Sequence, residues 1–149
     1  MGVKLYISIM AALFCLTFDP GFARADAAPG VSQADEAQLD QIAEGLFANL
    51  RAGKTDAGVA QFFGSSSLMS SKVDQLKLLV AQIDSAIGIY GKIGGCEKVD
   101  SVSKGSFVQY RTYTCQHTNM LTSWSFAFFK TSKGWIAGNL FFKDQPAQP

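Results

Sequence analysis

The chain has 149 residues, 48% of them hydrophobic and 17% charged, with a formal net charge of +1. Those values describe one ordinary domain, long enough to bury a core without relying on covalent staples. They exclude the basic excess of a nucleic-acid binder.

Residues 1–25 read as a cleavable signal peptide. Lys4 supplies the single positive charge of a short n-region, and Leu5 to Phe18 is apolar apart from Ser8 and Thr17. Asp19-Pro20-Gly21 breaks any helix, and Ala23-Arg24-Ala25 offers the small residues a signal peptidase needs. The apolar run covers about fourteen residues, short of the roughly twenty that span a bilayer. An uncleaved anchor is therefore the lesser alternative, and no stable membrane span is expected. Cleavage is placed after Ala25, with Ala27 as the alternative site. Cys15 follows Leu13-Phe14 rather than the small residues of a lipoprotein site, and would leave with the signal. Residues 26–31 read as a flexible leader, 32–144 as the folded domain and 145–149 as a flexible tail. The implied destination is the bacterial periplasm or the extracellular space.

Removal of Lys4, Arg24 and Asp19 with the signal takes thirteen basic and twelve acidic residues to eleven of each, for a formal charge of zero. The charge is uneven. Residues 26–90 hold four basic and eight acidic side chains, whereas residues 91–149 hold seven basic and three acidic. Two oppositely charged layers packed together would explain this. An anionic ligand or partner approaching the second half is the alternative.

The first half reads as helical. Ser32-Gln33-Ala34-Asp35 resembles a capping box with Asp in place of Glu. Leu39, Ile42, Ala43, Leu46, Phe47 and Leu50 then recur at three- and four-residue steps and share one helix face. Gly53 is a natural stop. Asp56 could cap a short helix, Ala57 to Phe63, closed by Gly64, with Phe62 and Phe63 entering the core. Ser65-Ser66-Ser67 reads as a loop, and Ser70-Ser71 as the next cap. Val73, Leu76, Val80, Ile83, Ile87 and Tyr90 form a second apolar stripe, on a helix predicted to end near Gly88. Gly91, Gly94 and Gly95 mark the crossover and do not match a phosphate loop.

From Lys92 the period changes. Four strands are predicted, at about Cys96–Ser103, Phe107–His117, Leu121–Lys130 and Trp135–Lys143. Ser132-Lys133-Gly134 suits a three-residue hairpin loop with Gly134 left-handed. That loop sets Thr131 opposite Trp135, and puts Trp124, Phe126 and Phe128 on one face with Ile136, Leu140 and Phe142. Ser123, Ser125, Asn139 and Phe141 take the other face. The first set is apolar enough to be the face that the helices cover.

Two cysteines outlast the signal, Cys96 and Cys115, and an even pair in an exported chain reads as a disulfide. A four-residue loop at Lys104–Phe107 pairs Ser103 with Val108, and the same register sets Cys96 opposite Cys115. Directly opposed residues bring their Cβ atoms close to disulfide distance. A redox-active pair would show Cys-x-x-Cys spacing, absent here. A metal site would need more ligands: His117 is the only histidine, and no metal or cofactor is implied.

No catalytic constellation emerges. His117 ends a strand beside a turn and reads as an exposed or edge histidine rather than a general base. Ser65, Ser66 and Ser67 lack a nucleophile motif. Trp124 and Trp135 read as core and sheet-surface anchors before ligand platforms. Tyr110, Arg111, Tyr113, Trp124 and Asn139 are the pocket candidates. Arg111, flanked by tyrosines on a central strand, could receive an anionic or aromatic group or pair with an acidic helix. Whether Tyr110 or Tyr113 faces inward depends on register, because a one-residue slip exchanges them.

Helices followed by long antiparallel strands is an α+β order. Three stretches resemble the NTF2-like (cystatin-like) superfamily, especially its small exported bacterial members. Leu46-Phe47-Ala48-Asn49-Leu50-Arg51-Ala52-Gly53-Lys54, with Phe62-Phe63 after it, resembles the end of a first helix and its short successor. Ser70-Ser71-Lys72-Val73-Asp74-Gln75-Leu76 resembles the entry to the later helix. Gly134-Trp135-Ile136-Ala137-Gly138-Asn139-Leu140-Phe141-Phe142 resembles the closing strand. The resemblance runs over about Asp35 to Asp144 and rests on fold signatures, none of them catalytic. It implies N-terminal helices packed on a curved four-stranded antiparallel sheet around a conical pocket. Family enzymes such as ketosteroid isomerase and scytalone dehydratase carry acidic residues or Asp–His pairs inside that pocket. Here Glu97, Asp100 and Asp144 stand near strand ends instead. The resulting expectation is a non-enzymatic exported module that binds a small molecule or an exported protein partner, with a homodimer through the sheet as one candidate assembly. A small pocket enzyme of isomerase, dehydratase or hydrolase type is the first alternative. A structural or inhibitory protein that docks on a partner is the second, favoured by an exposed apolar patch near Phe129 and Phe141.

Overall fold

A computed structural model describes residues 30–144. The signal peptide with its cleavage site, Cys15, the leader up to Pro29 and the tail 145–149 lie outside the described residues.

Helix α1 spans Gln33–Arg51. The Ser32 hydroxyl caps it by accepting from the Asp35 amide at 3.2 Å, one half of the capping box. Leu39, Ala43, Leu46, Phe47 and Leu50 are buried, as their spacing dictates. Gly53 follows the last turn at φ +70° and closes the helix from the left-handed region. Helix α2, Thr55–Phe63, starts two residues before Ala57. Asp56 lies within its first turn, and Lys54 holds the cap position without a side-chain bond.

The serine segment is more ordered than a loop. Ser66 caps a single turn, α3 at Ser67–Ser70, by accepting from the Met69 amide. Ser70 and Ser71 do not cap the next helix, because their hydroxyls donate backward to the Ser66 and Leu68 carbonyls. Helix α4, Val73–Tyr90, passes straight through Gly88. A glycine weakens a helix without ending it. The stop falls at Gly91, at φ +88°, where a Cβ would lie 2.6 Å from Thr118 Cβ. Only Ile83 of the α4 stripe is fully buried, and Val73 is exposed. The Thr55 hydroxyl ties α2 to α4 by donating to Asp84 Oδ1.

Four antiparallel strands follow in the order β1-β2-β3-β4: Ile93–Lys104, Val108–His117, Leu121–Thr131 and Gly134–Asp144. The fold is α+β, helices first and then a sheet. Cys96 and Cys115 are opposed with Cα atoms 4.0 Å apart, and they are joined. The route to that pairing differs from the predicted one. Near the turn Ser103 faces Gln109, not Val108, so the loop is one residue shorter than Lys104–Phe107. The register slips by one between Lys98 and Asp100, leaving Val99 as the extra residue, and this restores the cysteine pairing.

The second hairpin shows the same compensation. Thr131 faces Gly134, and Lys130 faces Trp135. Gly134 is left-handed at φ +111°, as expected. Between Ala127 and Phe128 the register slips, with Gly138 as the extra residue, and from Asn139 onward it matches the predicted one. The consequence is a correction: Trp135 and Ala137 face the helices, while Ile136 faces away with Phe129. A one-residue insertion reverses every side chain on its near side. Gly138 is the residue that permits this, since a Cβ there would sit 2.0 Å from the Phe129 ring.

The inner face is filled. Phe47 packs against the rings of Tyr113, Trp124 and Phe126 at 5.3–5.7 Å, and Phe62 against Phe126 and Phe128. Edge-to-face and tilted aromatic pairs of this kind add to the burial of their large apolar areas.

Candidate functional site

Alternation along β2 settles the tyrosine question. Gln109, Arg111, Tyr113, Cys115 and His117 point at the helices and are buried. Tyr110 points away and is exposed. Of the five pocket candidates, Arg111, Tyr113 and Trp124 therefore lie inside, and Tyr110 and Asn139 lie together on the outer face, two strands apart in one row.

The inner three do not surround a vacant space. Arg111 is 1% exposed and pairs with two acids of the first two α1 turns, Glu36 and Asp40. Its Nη atoms also donate to the Glu36 carbonyl at 3.3 and 3.4 Å, and its Nε is buried without a partner. Lys98 donates to Asp40 at 2.9 Å and lies 3.8 Å from Glu36. Lys130 holds Asp35 at 2.8 Å. Three acids from α1 thus meet three cations from β1, β2 and β3. Part of the uneven charge of the sequence is this contact between layers. Lys130 is the main reason the Asp35 carboxyl is held down at about 2, helped by Ser32 and Trp135. Tyr113 sits 3.5 Å from Asp40 through its hydroxyl, and burial is the main reason its pKa is pushed up to about 12. The phenol stays neutral there, beside carboxylates already paired to cations.

Trp124 is core as well, stacked on Phe142 at 4.8 Å. Its indole N–H donates to Thr122 Oγ1 at 2.8 Å. Thr122 in turn meets His117 Nε2 at 2.9 Å, and His117 Nδ1 lies 2.8 Å from the Gly91 carbonyl. That carbonyl can only accept, so Nδ1 donates to it, while Nε2 faces the Thr122 hydroxyl, which can donate or accept. His117 is therefore a buried clamp between the end of α4 and the sheet, not an exposed or edge residue. Its position beside a turn misled, because α4 folds back over that turn: the Asn119 amide donates to the Tyr90 carbonyl at 2.9 Å.

The recesses that do exist are open and shallow in chemistry. One of about 450 Å³ is lined by Gly95, Glu97, Thr114, Gln116 and Leu121 among others. Another of about 360 Å³ lies between α4 and β4, lined by Leu79, Gln82, Leu140, Phe141 and Phe142. Neither holds Arg111, Tyr113 or Trp124. Among the described residues, no group of three or more His, Cys, Asp or Glu could hold a metal ion, and no helix is long and apolar enough to cross a membrane.

The outer sheet face has a different character. Its residues fall in rows across the four strands: Glu97–Thr114–Ser123–Lys143, Asp100–Thr112–Ser125–Phe141, Val102–Tyr110–Ala127–Asn139 and Lys104–Val108–Phe129–Ile136. Phe141 is 57% exposed and Tyr110 45%, and Val102 and Phe129 are also exposed. Among the described residues no helix covers these rows. Sequence alternation alone could have found most of the patch, since Tyr110, Asn139 and Phe141 fall on it by parity. Ile136 could not be found that way, because it depends on the bulge at Gly138. The chain was compared with protein-family models, with curated proteins and with solved structures, and none matches it.

Proposed function

We propose that this chain is a non-enzymatic, exported module of NTF2-like type that works by docking a protein on the outer face of its sheet. The observation that carries the reading is the exposed apolar band of Val102, Tyr110, Phe129 and Phe141 on a face no described element covers. Large apolar side chains left exposed together on one sheet face are a feature of interaction surfaces. Export is supported by the signal-like residues 1–25 and by a disulfide, which persists in oxidising compartments. The filled interior weighs against the small-molecule pocket: Phe47, Phe62, Trp124 and Arg111 occupy the volume where a ligand would sit.

The test is site-specific photo-crosslinking in a bacterium exporting the full chain. A photoactivatable residue at Tyr110 should trap a protein, and the same residue at the exposed Gln38 of α1 should not. Capture from Gln38 alone, or from neither position, would refute docking through the sheet. Accumulation of the uncleaved chain in the cytoplasm would refute export.

A further inference from the structure

We infer that the hairpin end of the sheet rests on an anionic lipid bilayer, with Phe107 set among the headgroups and Lys104 and Lys133 on their phosphates. The inference goes beyond docking at the outer face and does not depend on it. It starts from the charge that the contact with α1 leaves over. Residues 91–149 hold seven basic side chains, and three of them, Lys98, Arg111 and Lys130, meet the acids of α1. Lys92, Lys104, Lys133 and Lys143 stand outside that contact. All four are exposed, and none forms a salt bridge among the described residues.

The strand order divides these four between the two ends of the sheet. The β1–β2 and β3–β4 turns share one end, because Val108 at the start of β2 faces Phe129 near the end of β3. Lys104 and Lys133 belong to those turns. Lys92 and Lys143 lie at the other end, which also carries Asp144. No acid occurs in residues 101–143, so the sheet gives the hairpin end no acidic side chain. Asp35 of α1 packs there, and Lys130 already holds it. The end is left positive, which favours an anionic surface.

Phe107 supplies the apolar part. It is 67% exposed at the first turn, and its carbonyl accepts from the Lys130 amide at 2.8 Å, which ties that turn to β3. Phe129 and Val102, both exposed, continue the apolar surface away from the tip. An aromatic ring flanked by lysines suits the boundary between headgroups and acyl chains, where the ring enters and the lysine stems reach phosphates. The chain also enters the domain at this end, since Ser32 and Asp35 open α1 beside Lys130. The segment carrying the apolar run Leu5–Phe18 therefore joins the domain next to the two turns. On the export reading, a signal engaged at the membrane presents this end to the bilayer. That placement favours lipid over an acidic protein as the occupant.

The experiment is co-sedimentation of the purified exported protein, its disulfide intact, with sucrose-loaded vesicles. One set is phosphatidylcholine, and the other is phosphatidylcholine and phosphatidylglycerol in equal parts. Binding to the anionic set at low salt is expected, weakening as salt is raised. Each lysine near an anionic surface strengthens binding roughly fivefold, so Lys104→Gln with Lys133→Gln should lower the partition constant about twenty-five-fold. Phe107→Ser should lower it about tenfold. Lys92→Gln with Lys143→Gln removes the same charge from the other end and should change it by less than about twofold. All five side chains are exposed, and melting curves check that the variants fold. No binding to anionic vesicles overturns the inference, as do equal losses from the two lysine pairs or indifference to Phe107→Ser. Binding to both vesicle sets that ignores every variant also overturns it, because a retained N-terminal segment would then hold the lipid. Polyglutamate bound as tightly as the anionic vesicles, through the same residues, overturns it in favour of an acidic protein. Failure on any of these counts leaves the Tyr110 crosslink standing, since that probe reports the outer face.

Discussion

The ion cluster around Arg111 makes an asymmetric prediction. Removing a buried charge and removing its partners are not equivalent. Arg111 is 1% exposed, so its guanidinium cannot return to water if its acids are lost. Glu36 and Asp40 are partly exposed, with side chains at 34% and 49%, and Lys98 remains beside both. Replacing the acids by their amides (Glu36→Gln with Asp40→Asn) leaves a buried cation without countercharge and should cost about 3–5 kcal/mol. Arg111→Met keeps most of the volume and removes the unpartnered Nε along with the charge. The acids it frees can hydrate or stay with Lys98, so the change should cost no more than about 1 kcal/mol and could stabilise. Arg111→Ala should fall between these, at about 2–4 kcal/mol, through the cavity it opens. The assay is urea unfolding followed by fluorescence at one protein concentration, because association of copies would enter the free energy. Loss of more than about 3 kcal/mol on Arg111→Met, or of less than about 1 kcal/mol in the double amide variant, would refute the reasoning.

Three other outcomes follow from the structure. Reducing the Cys96–Cys115 bond, or replacing both residues by alanine, should lower stability by about 3 kcal/mol, because the bond closes a loop over a separation of 19 residues; denaturant midpoints with and without reductant measure it, and an unchanged midpoint would show that strand pairing alone holds the hairpin. Gly138→Ala should cost about 1–2 kcal/mol by displacing the Phe129 ring. That cost should disappear in a Phe129→Ala background, as a double-mutant cycle would show. The folded pKa of Asp35, about 2, lies below its ordinary value of 3.8. The unfolded chain therefore takes up the proton first as pH falls. The contribution is present in full above about pH 4 and is lost between there and about pH 2. Asp35→Asn, and Lys130→Met to a lesser degree, should flatten the fall in melting temperature over that window.

The helical half and the strand half were legible because each is a local period: Leu39 to Leu50 repeats at helical spacing, and β2 and β3 alternate without interruption. The Cys96–Cys115 pair was legible from parity, although by a path in which a shorter loop and a bulge at Val99 cancelled. Helix starts were less so. Ser70 and Ser71 look like caps, yet they bond backward to α3, a competition between local partners that composition does not rank. His117 looked like an edge residue until α4 folded back over its turn and supplied the Gly91 carbonyl.

What the sequence by itself determined, while the inward face of β2 and the meaning of the uneven charge stayed open, is the order of elements, the covalent pair and the apolar face of β3. These depend on neighbours three, four or two residues away and survive any small error of register. Only the tertiary structure decided that Trp135 turns in and Ile136 turns out, that Arg111 closes on α1 rather than opening to a ligand, and that the pocket volume is occupied. The first follows from one inserted residue, Gly138, whose place is set by a ring from the neighbouring strand. The others follow from how closely α1 settles on the sheet, which is fixed by Phe47 packing among Tyr113, Trp124 and Phe126. No period along the chain encodes that distance.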